Sequence, residues 1–138
     1  MSSSAKTFLC RVQTLEGEAL STEAVSVVFP ALDGQAGVLV RCGPIAAALG
    51  AGPLTVRRAA GGDAEFFVAG GFARVRDDVA TILAQECTPA DRLDAAVARS
   101  QLIQALAMPN QPAPAAEAKE WAVRVARARL RAAKKGPA

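Results

Sequence analysis

Apolar and polar positions alternate at the start of the chain. Phe8, Cys10 and Val12 fall on one side, and Leu9, Arg11 and Gln13 on the other. A period of two turns successive side chains to opposite faces, so this stretch is expected to be a strand with one buried face. Residues 25–29 are apolar and largely β-branched, and Pro30 ends them. Short apolar segments follow at 37–40, 54–58, 65–69, 72–75 and 79–83. Between them lie Asp33-Gly34, Gly61-Gly62-Asp63, Gly70-Gly71 and Asp77-Asp78. Glycine tolerates positive φ and aspartate bonds to nearby backbone, so these are expected to be turns. Gly61-Gly62-Asp63 and Asp77-Asp78 are the best hairpin candidates. Residues 46–49 read as a single helical turn between strands.

The grammar changes at Thr88-Pro89. After Pro89 no glycine occurs until Gly136. A hydroxyl before proline, with Asp91 close behind, is a helix-start signal. Leu93, Val97, Ser100, Ile103 and Ala107 recur at helical spacing and predict a buried stripe, which Ala96 and Leu106 widen. Pro109 ends that helix after Met108. Residues 109–114 form a Pro-rich turn, and a second helix runs from Ala115 to about Lys135, where Gly136-Pro137 stops it. The expected fold class is α+β. An N-terminal antiparallel β-sandwich (1–88) is followed by a C-terminal antiparallel two-helix hairpin (89–138), with helices at about 90–108 and 115–135.

Composition narrows the chemistry. Apolar residues make up 51% of the 138 and charged residues 21%, which suits a folded domain rather than a disordered tail. There is no histidine and no tyrosine. Ser-His-Asp triads, Cys-His pairs and His-ligated metal sites are therefore excluded. Cys10, Cys42 and Cys87 are widely spaced with no C-x-x-C, so neither a disulfide framework nor a zinc site is expected. No phosphate-binding glycine loop occurs. The acidic pairs Asp77-Asp78 and Asp91/Asp94 fall in a turn and in a helix's first turn, where structure explains them. Neither a catalytic nor a metal site is expected, and no cofactor. Residues 1–10 hold no apolar run of signal-peptide length, and the uncharged stretch 42–56 is short and cut by Gly and Pro. No direct membrane insertion is expected.

The net charge of +3 hides a split. Up to Ala118 there are nine basic and twelve acidic residues; from Lys119 onward there are seven basic residues and only Glu120. On a helix Arg124, Arg127, Arg131 and Lys135 fall on nearly one face, and Lys134 adjoins it. Trp121, Val125, Ala128 and Ala132 make an adjacent, weakly apolar face. Alanine supplies little area, so this helix is expected to be loosely held and suited to meeting an acidic surface. Trp121 is the one aromatic residue near these arginines, which gives nucleic acid less support as a target.

The order of these features resembles the epsilon subunits of bacterial F-type ATP synthase, the counterparts of mitochondrial delta. Val68-Ala69-Gly70-Gly71-Phe72-Ala73-Arg74-Val75, then Val79-Ala80-Thr81-Ile82-Leu83-Ala84, is similar to the family's glycine pair followed by Val-x-x-Leu-Ala. Asp33-Gly34-Gln35-Ala36-Gly37-Val38-Leu39 is similar to its G-x-x-G-apolar loop. The opening strand, Gly52-Pro53 and the helical hairpin fit as well. Two departures stand out. Val40-Arg41-Cys42-Gly43-Pro44 replaces the family's Pro-Gly-His-Ala-Pro. Leu93-Asp94-Ala95-Ala96-Val97-Ala98 is a degenerate form of the ATP-linked Ile/Leu-Asp-x-x-Arg-Ala motif, with valine where the arginine stands. Valine cannot pair a phosphate, so no nucleotide-binding residues are assigned.

The resemblance implies a non-catalytic rotor subunit of a proton-translocating F-type ATP synthase. It would lie peripherally on the cytoplasmic face of the bacterial plasma membrane. Its expected partners are the gamma subunit and the c-ring, with Asp33, Gly34 and Gln35 on the ring-facing loop. The alpha and beta catalytic subunits would be met through the C-terminal helix. There Arg124, Arg127, Arg131 and Lys135 would face an acidic segment, through which the subunit would be able to inhibit ATP hydrolysis. The residues alone leave a second reading open: a free-standing adaptor whose basic helix binds RNA or anionic membrane.

Overall fold

The computed structural model describes residues 7–40 and 44–135. Arg41, Cys42 and Gly43 of the altered loop, the terminal Gly136-Pro137, and the side chain of Lys135 lie outside the described residues. The chain divides into two compact units, Met1–Thr88 and Pro89–Ala138.

The first unit is a seven-stranded sheet: β1 (Phe8–Thr14), β2 (Gly17–Pro30), β3 (Ala36–Leu39), β4 (Ile45–Ala48), β5 (Ala51–Arg58), β6 (Asp63–Arg76) and β7 (Val79–Pro89). The strand order is β1-β7-β6-β5-β2-β3, β4 pairs with β6, and an added β1–β2 pairing joins the ends of a five-strand circuit. The result is a flattened barrel, the β-sandwich expected. One pairing departs from the antiparallel expectation, because β1 runs parallel to β7 with Leu9 opposite Val79 and Gln13 opposite Leu83.

Alternation in β1 holds as the pattern requires: Phe8, Cys10 and Val12 are buried and Arg11 is exposed. They join Val27, Phe29, Leu39, Leu49, Leu54, Val56, Val68, Val75 and Ile82 in one core. Each such large side chain contributes about 1.5–3 kcal/mol when fully buried.

Two long strands pair with three others each, and both change phase part-way along. In β6, Ala64 and Val68 face the core at even positions, but Ala73 and Val75 face it at odd ones. The shift sits at Gly70-Gly71, with φ of 76° and 114°. Before this point β6 pairs with β5, and after it with β4. At the junction Gly70 N–H donates to Gly50 O (3.1 Å) and Gly71 O accepts from Leu49 N–H (2.9 Å). Gly70-Gly71 is thus a bulge inside one strand rather than the turn expected from its composition. In β2 the core-facing residues step from Ala24 to Val27 and Phe29, across a register shift between Ala24 and Ser26. The strand read as 25–29 is therefore only the end of a longer one.

Residues 46–49, read as a helical turn, lie mostly in β4, where Ala46 to Ala48 pair with Arg74 to Phe72. An alanine run favours helix weakly, and an available strand edge outweighs that preference. The two hairpin turns are where the sequence put them. Gly61 N–H donates to Arg58 O and Arg58 N–H to Gly62 O, both at 3.1 Å. Asp77 and Asp78 adopt φ of 53° and 63°, the left-handed pair that a two-residue type I′ hairpin turn demands.

The second unit holds a 3₁₀ turn (Ala90–Arg92), α1 (Ala95–Leu106) and α2 (Ala113–Lys135), and the two helices pack together. The first helix starts five residues later than position 90. Pro89 is extended (ψ 139°) and ends β7, so Thr88 caps nothing. The cap is Asp94, whose carboxylate accepts from Ala96 N–H (2.8 Å) and Val97 N–H (3.4 Å). The second helix starts two residues early, at Ala113. The expected stripe of α1 is out of phase as well. Val97 and Ile103 are 53% and 62% exposed, whereas Ala98 and Ala105 are buried. On α2 the buried residues are Val125, Ala126 and Ala128. Small residues at these positions permit close helix approach, since interaxial distance follows the side chains at the contact.

Candidate functional site

The expected basic positions lie on α2, and their exposure differs. Arg127 and Arg131 are exposed and Arg124 is half-buried. The Arg124 guanidinium lies 5.8 Å from the Trp121 ring centroid, a cation–π contact that orients it. Lys134 is exposed, and the Lys135 backbone continues the helix. Lys119, Arg124, Arg127 and Arg131 border an open groove of about 570 Å³, together with Glu120, Val123 and Ala116. Leu106 at the end of α1 and Asn110 in the connection complete it. Four cations against one carboxylate give the groove a positive potential suited to an acidic partner.

Arg129 stands apart from that face. At about 100° per residue it projects roughly 160° away from Arg127. Its Nη1 donates to Gln101 Oε1 of α1 at 2.9 Å, in a part-buried setting. The sequence reading assigned this arginine no role. The available signal was a single cation on an otherwise alanine-rich face, which calls for a polar partner.

The loop at Asp33, Gly34 and Gln35 is exposed and bonded to itself. The Asp33 carboxylate accepts from Gln35 N–H (2.9 Å), Gly34 N–H donates to Ala31 O (3.0 Å), and Ala31 N–H donates to Gln35 O (2.9 Å). These bonds pre-shape the loop and leave Leu32, 48% exposed, beside it. The loop belongs to the first compact unit and the α2 face to the second.

The degenerate motif has a local use. Asp94 spends its carboxylate on the helix cap, Leu93 is half-buried, and Val97 presents an apolar surface. The two thiols among the described residues, Cys10 and Cys87, offer no nucleophile near neutral pH. Burial pushes Cys10 up to about 12 and Cys87 up to about 11. Among the described residues no cluster of acidic or cysteine side chains could hold a metal ion, and no helix is long and apolar enough to cross a membrane.

Comparison with known proteins adds three findings. Residues 7–90 match the family model of the ATP synthase Delta/Epsilon chain, beta-sandwich domain. The ATP synthase epsilon chain of Rhodopirellula baltica is 40% identical over 125 residues, covering 91% of this chain and 97% of that one. Two solved structures share the fold. A chain in the Euglena gracilis mitochondrial ATP synthase OSCP/F1/c-ring structure has a TM-score of 0.77 at 20% identity, covering 93% of this chain and 81% of that one. A chain in the central stalk/c-ring structure of Tetrahymena thermophila mitochondrial ATP synthase has a TM-score of 0.72 at 16% identity, covering 93% and 97%.

Proposed function

The chain belongs to the ATP synthase delta/epsilon family, and on that premise we propose that it couples gamma to the c-ring in the rotor of an F-type ATP synthase and restrains hydrolysis through α2. It is a non-catalytic subunit. In this reading the sandwich docks on the gamma subunit, and the self-bonded loop at Asp33, Gly34 and Gln35 faces the ring. A pre-shaped loop suits that task because no ordering entropy is lost on docking. The cytoplasmic face of a bacterial plasma membrane follows as its place, reached through these partners.

The single observation that carries the reading is the match of residues 7–90 to the family's sandwich, with the 40% identity continuing across 91% of the chain. The inhibitory part is supported by the exposed Arg127 and Arg131 on α2, which can meet carboxylates of the catalytic beta subunits. Such charge pairs steer encounter and set register more than they supply affinity. Co-expression with the gamma subunit of the same organism tests the core of the proposal. A stable complex that co-elutes on size-exclusion chromatography is expected, and two separate monomers would overturn it.

A further inference from the structure

The loop at Asp33, Gly34 and Gln35 spends most of its polar groups on itself. The N–H groups of Ala31 and Gly34 bond within the loop, and that of Gln35 bonds the Asp33 carboxylate. The last bond folds the Asp33 side chain back on its own backbone, in a turn that an uncharged asparagine closes as well. Leu32 N–H donates to Ala48 O of β4 (3.0 Å), and beside it Gly50 N–H donates to Pro30 O (2.8 Å). The backbone of Leu32 is thus pinned while its side chain stays 48% exposed. Charge is scarce around it. From Pro30 to Val40, and again from Pro44 to Val56, Asp33 is the one charged residue. A single exposed ion pair contributes little and is screened by salt. Covering a half-exposed leucine removes apolar area from water, and screening does not weaken that gain.

We infer that this loop reads its partner through Leu32, as an apolar contact on a pre-shaped backbone, and that Asp33 is a positioning residue that closes the turn rather than a charge offered across the interface. The inference rests on the rotor reading, in which the loop faces the c-ring, and specifies the chemistry of that contact. The ring surface opposite Leu32 then presents an apolar position, and no cation there is needed to pair with Asp33. A loop already bonded in its docked shape gives up little entropy, so one apolar side chain can decide the preference.

The test uses the full chain in complex with gamma, and the detergent-solubilised c-ring of the same organism immobilised for interferometry. Co-elution with gamma shows that each variant is folded. Leu32→Ser is expected to weaken ring binding about fivefold, and Leu32→Met to recover the loss. Asp33→Ala, which opens the turn, is expected to weaken it about threefold, and Asp33→Asn, which keeps the turn without the charge, to restore it. Affinity of the parent complex should change by less than about twofold between about 0.05 and about 0.5 M salt. Ring binding that survives Leu32→Ser unchanged would overturn the inference. So would a loss with Asp33→Asn equal to that with Asp33→Ala, since the charge would then be the contact. Both outcomes leave the rotor reading standing. A parent complex that does not bind the ring at all would overturn the ring contact of that reading itself.

Discussion

Arg129 of α2 donates from Nη1 to Oε1 of Gln101 on α1 at 2.9 Å, across a packing whose buried α1 residues are Ala98 and Ala105. Alanine contacts are non-directional and nearly interchangeable along a helix, so they define register poorly. A charged hydrogen bond defines it well, and such bonds contribute about 1.5–3 kcal/mol when both partners are in place. Gln101→Leu is therefore expected to destabilise the hairpin by about 1–2 kcal/mol, because it removes a charged hydrogen bond between the two helices in a part-buried setting. Hydrogen exchange of the α2 amides reads this directly, and a double-mutant cycle with Arg129→Leu should return a coupling of about 1 kcal/mol. A coupling near zero would make the contact incidental.

Gly71 has no room for a side chain. A Cβ placed there would lie 1.8 Å from the backbone oxygen of Leu83, at a φ of 114° that side chains rarely adopt. Backbone cannot swing aside as a flexible side chain can. Gly71→Ala is expected to cost more than about 3 kcal/mol and to lower the melting temperature sharply or prevent folding. Gly34→Ala is the contrast: its φ of 94° is strained, but nothing lies within 4 Å. Its cost should stay near 1 kcal/mol in a urea titration, from backbone strain alone.

How much of this was legible in the chain depends on whether the signal was local. Asp77-Asp78 and Gly61-Gly62 make turns through their own backbone preferences, and the sequence alone places them. Gly70-Gly71 carries the same signal and yet forms a bulge, because the deciding neighbour is Leu83 on another strand. The phase of α1 was missed for a related reason. Val97 and Ile103 outrank alanine in hydrophobicity, but the cap at Asp94 and the close helix approach bury Ala98 and Ala105 instead. The exposed cations Arg127 and Arg131 were readable from spacing. The groove was not, since it needs Leu106 brought beside Val123 by the hairpin.

Asp77 and Asp78 hold a conformation that costs an L-residue about 1 kcal/mol and suits glycine. The turn also serves β1, since Asp78 O accepts from Leu9 N–H at 3.0 Å. That bond uses the backbone and survives substitution. Asp77→Gly is expected to raise stability by about 0.5–1 kcal/mol, relieving strain at φ 53°, because its ion pair to Arg76 is long and exposed. Differential scanning calorimetry should show a higher melting temperature; a fall would mean that the carboxylate holds the turn.

The raised thiols make an alkaline prediction. Burial raises Cys10 from 9.0 to about 12 and Cys87 from 9.0 to about 11, so the folded state holds these protons more tightly than the unfolded one. The resulting stability is full below pH 9 and is lost as pH rises toward 11 and 12. The urea midpoint should fall above pH 9, and Cys87→Ser should flatten the part between 9 and 11. At pH 8, iodoacetamide should leave Cys10 and Cys87 unmodified in folded protein and alkylate them in urea, as mass spectrometry of the peptides that carry them would reveal.

Removing residues 113–138 deletes α2 whole, because the helix begins at Ala113. The strands belong to a separate compact unit ending at Thr88, with its own core. Assembly with gamma and the rate of ATP synthesis should therefore be retained. Hydrolysis should rise, since the cations at Arg124, Arg127 and Arg131 go with the helix. Arg127→Glu together with Arg131→Glu should reproduce much of that rise with α2 still present, which separates charge from bulk. The two arginines are exposed, and the Debye length shrinks from about 10 Å at 0.1 M salt to about 3 Å at 1 M. Inhibition by the parent chain should accordingly weaken as salt is raised, while the charge-reversed chain responds little. Membranes carrying the truncated chain that hydrolyse ATP no faster than the parent would refute the inhibitory role and leave the rotor role standing.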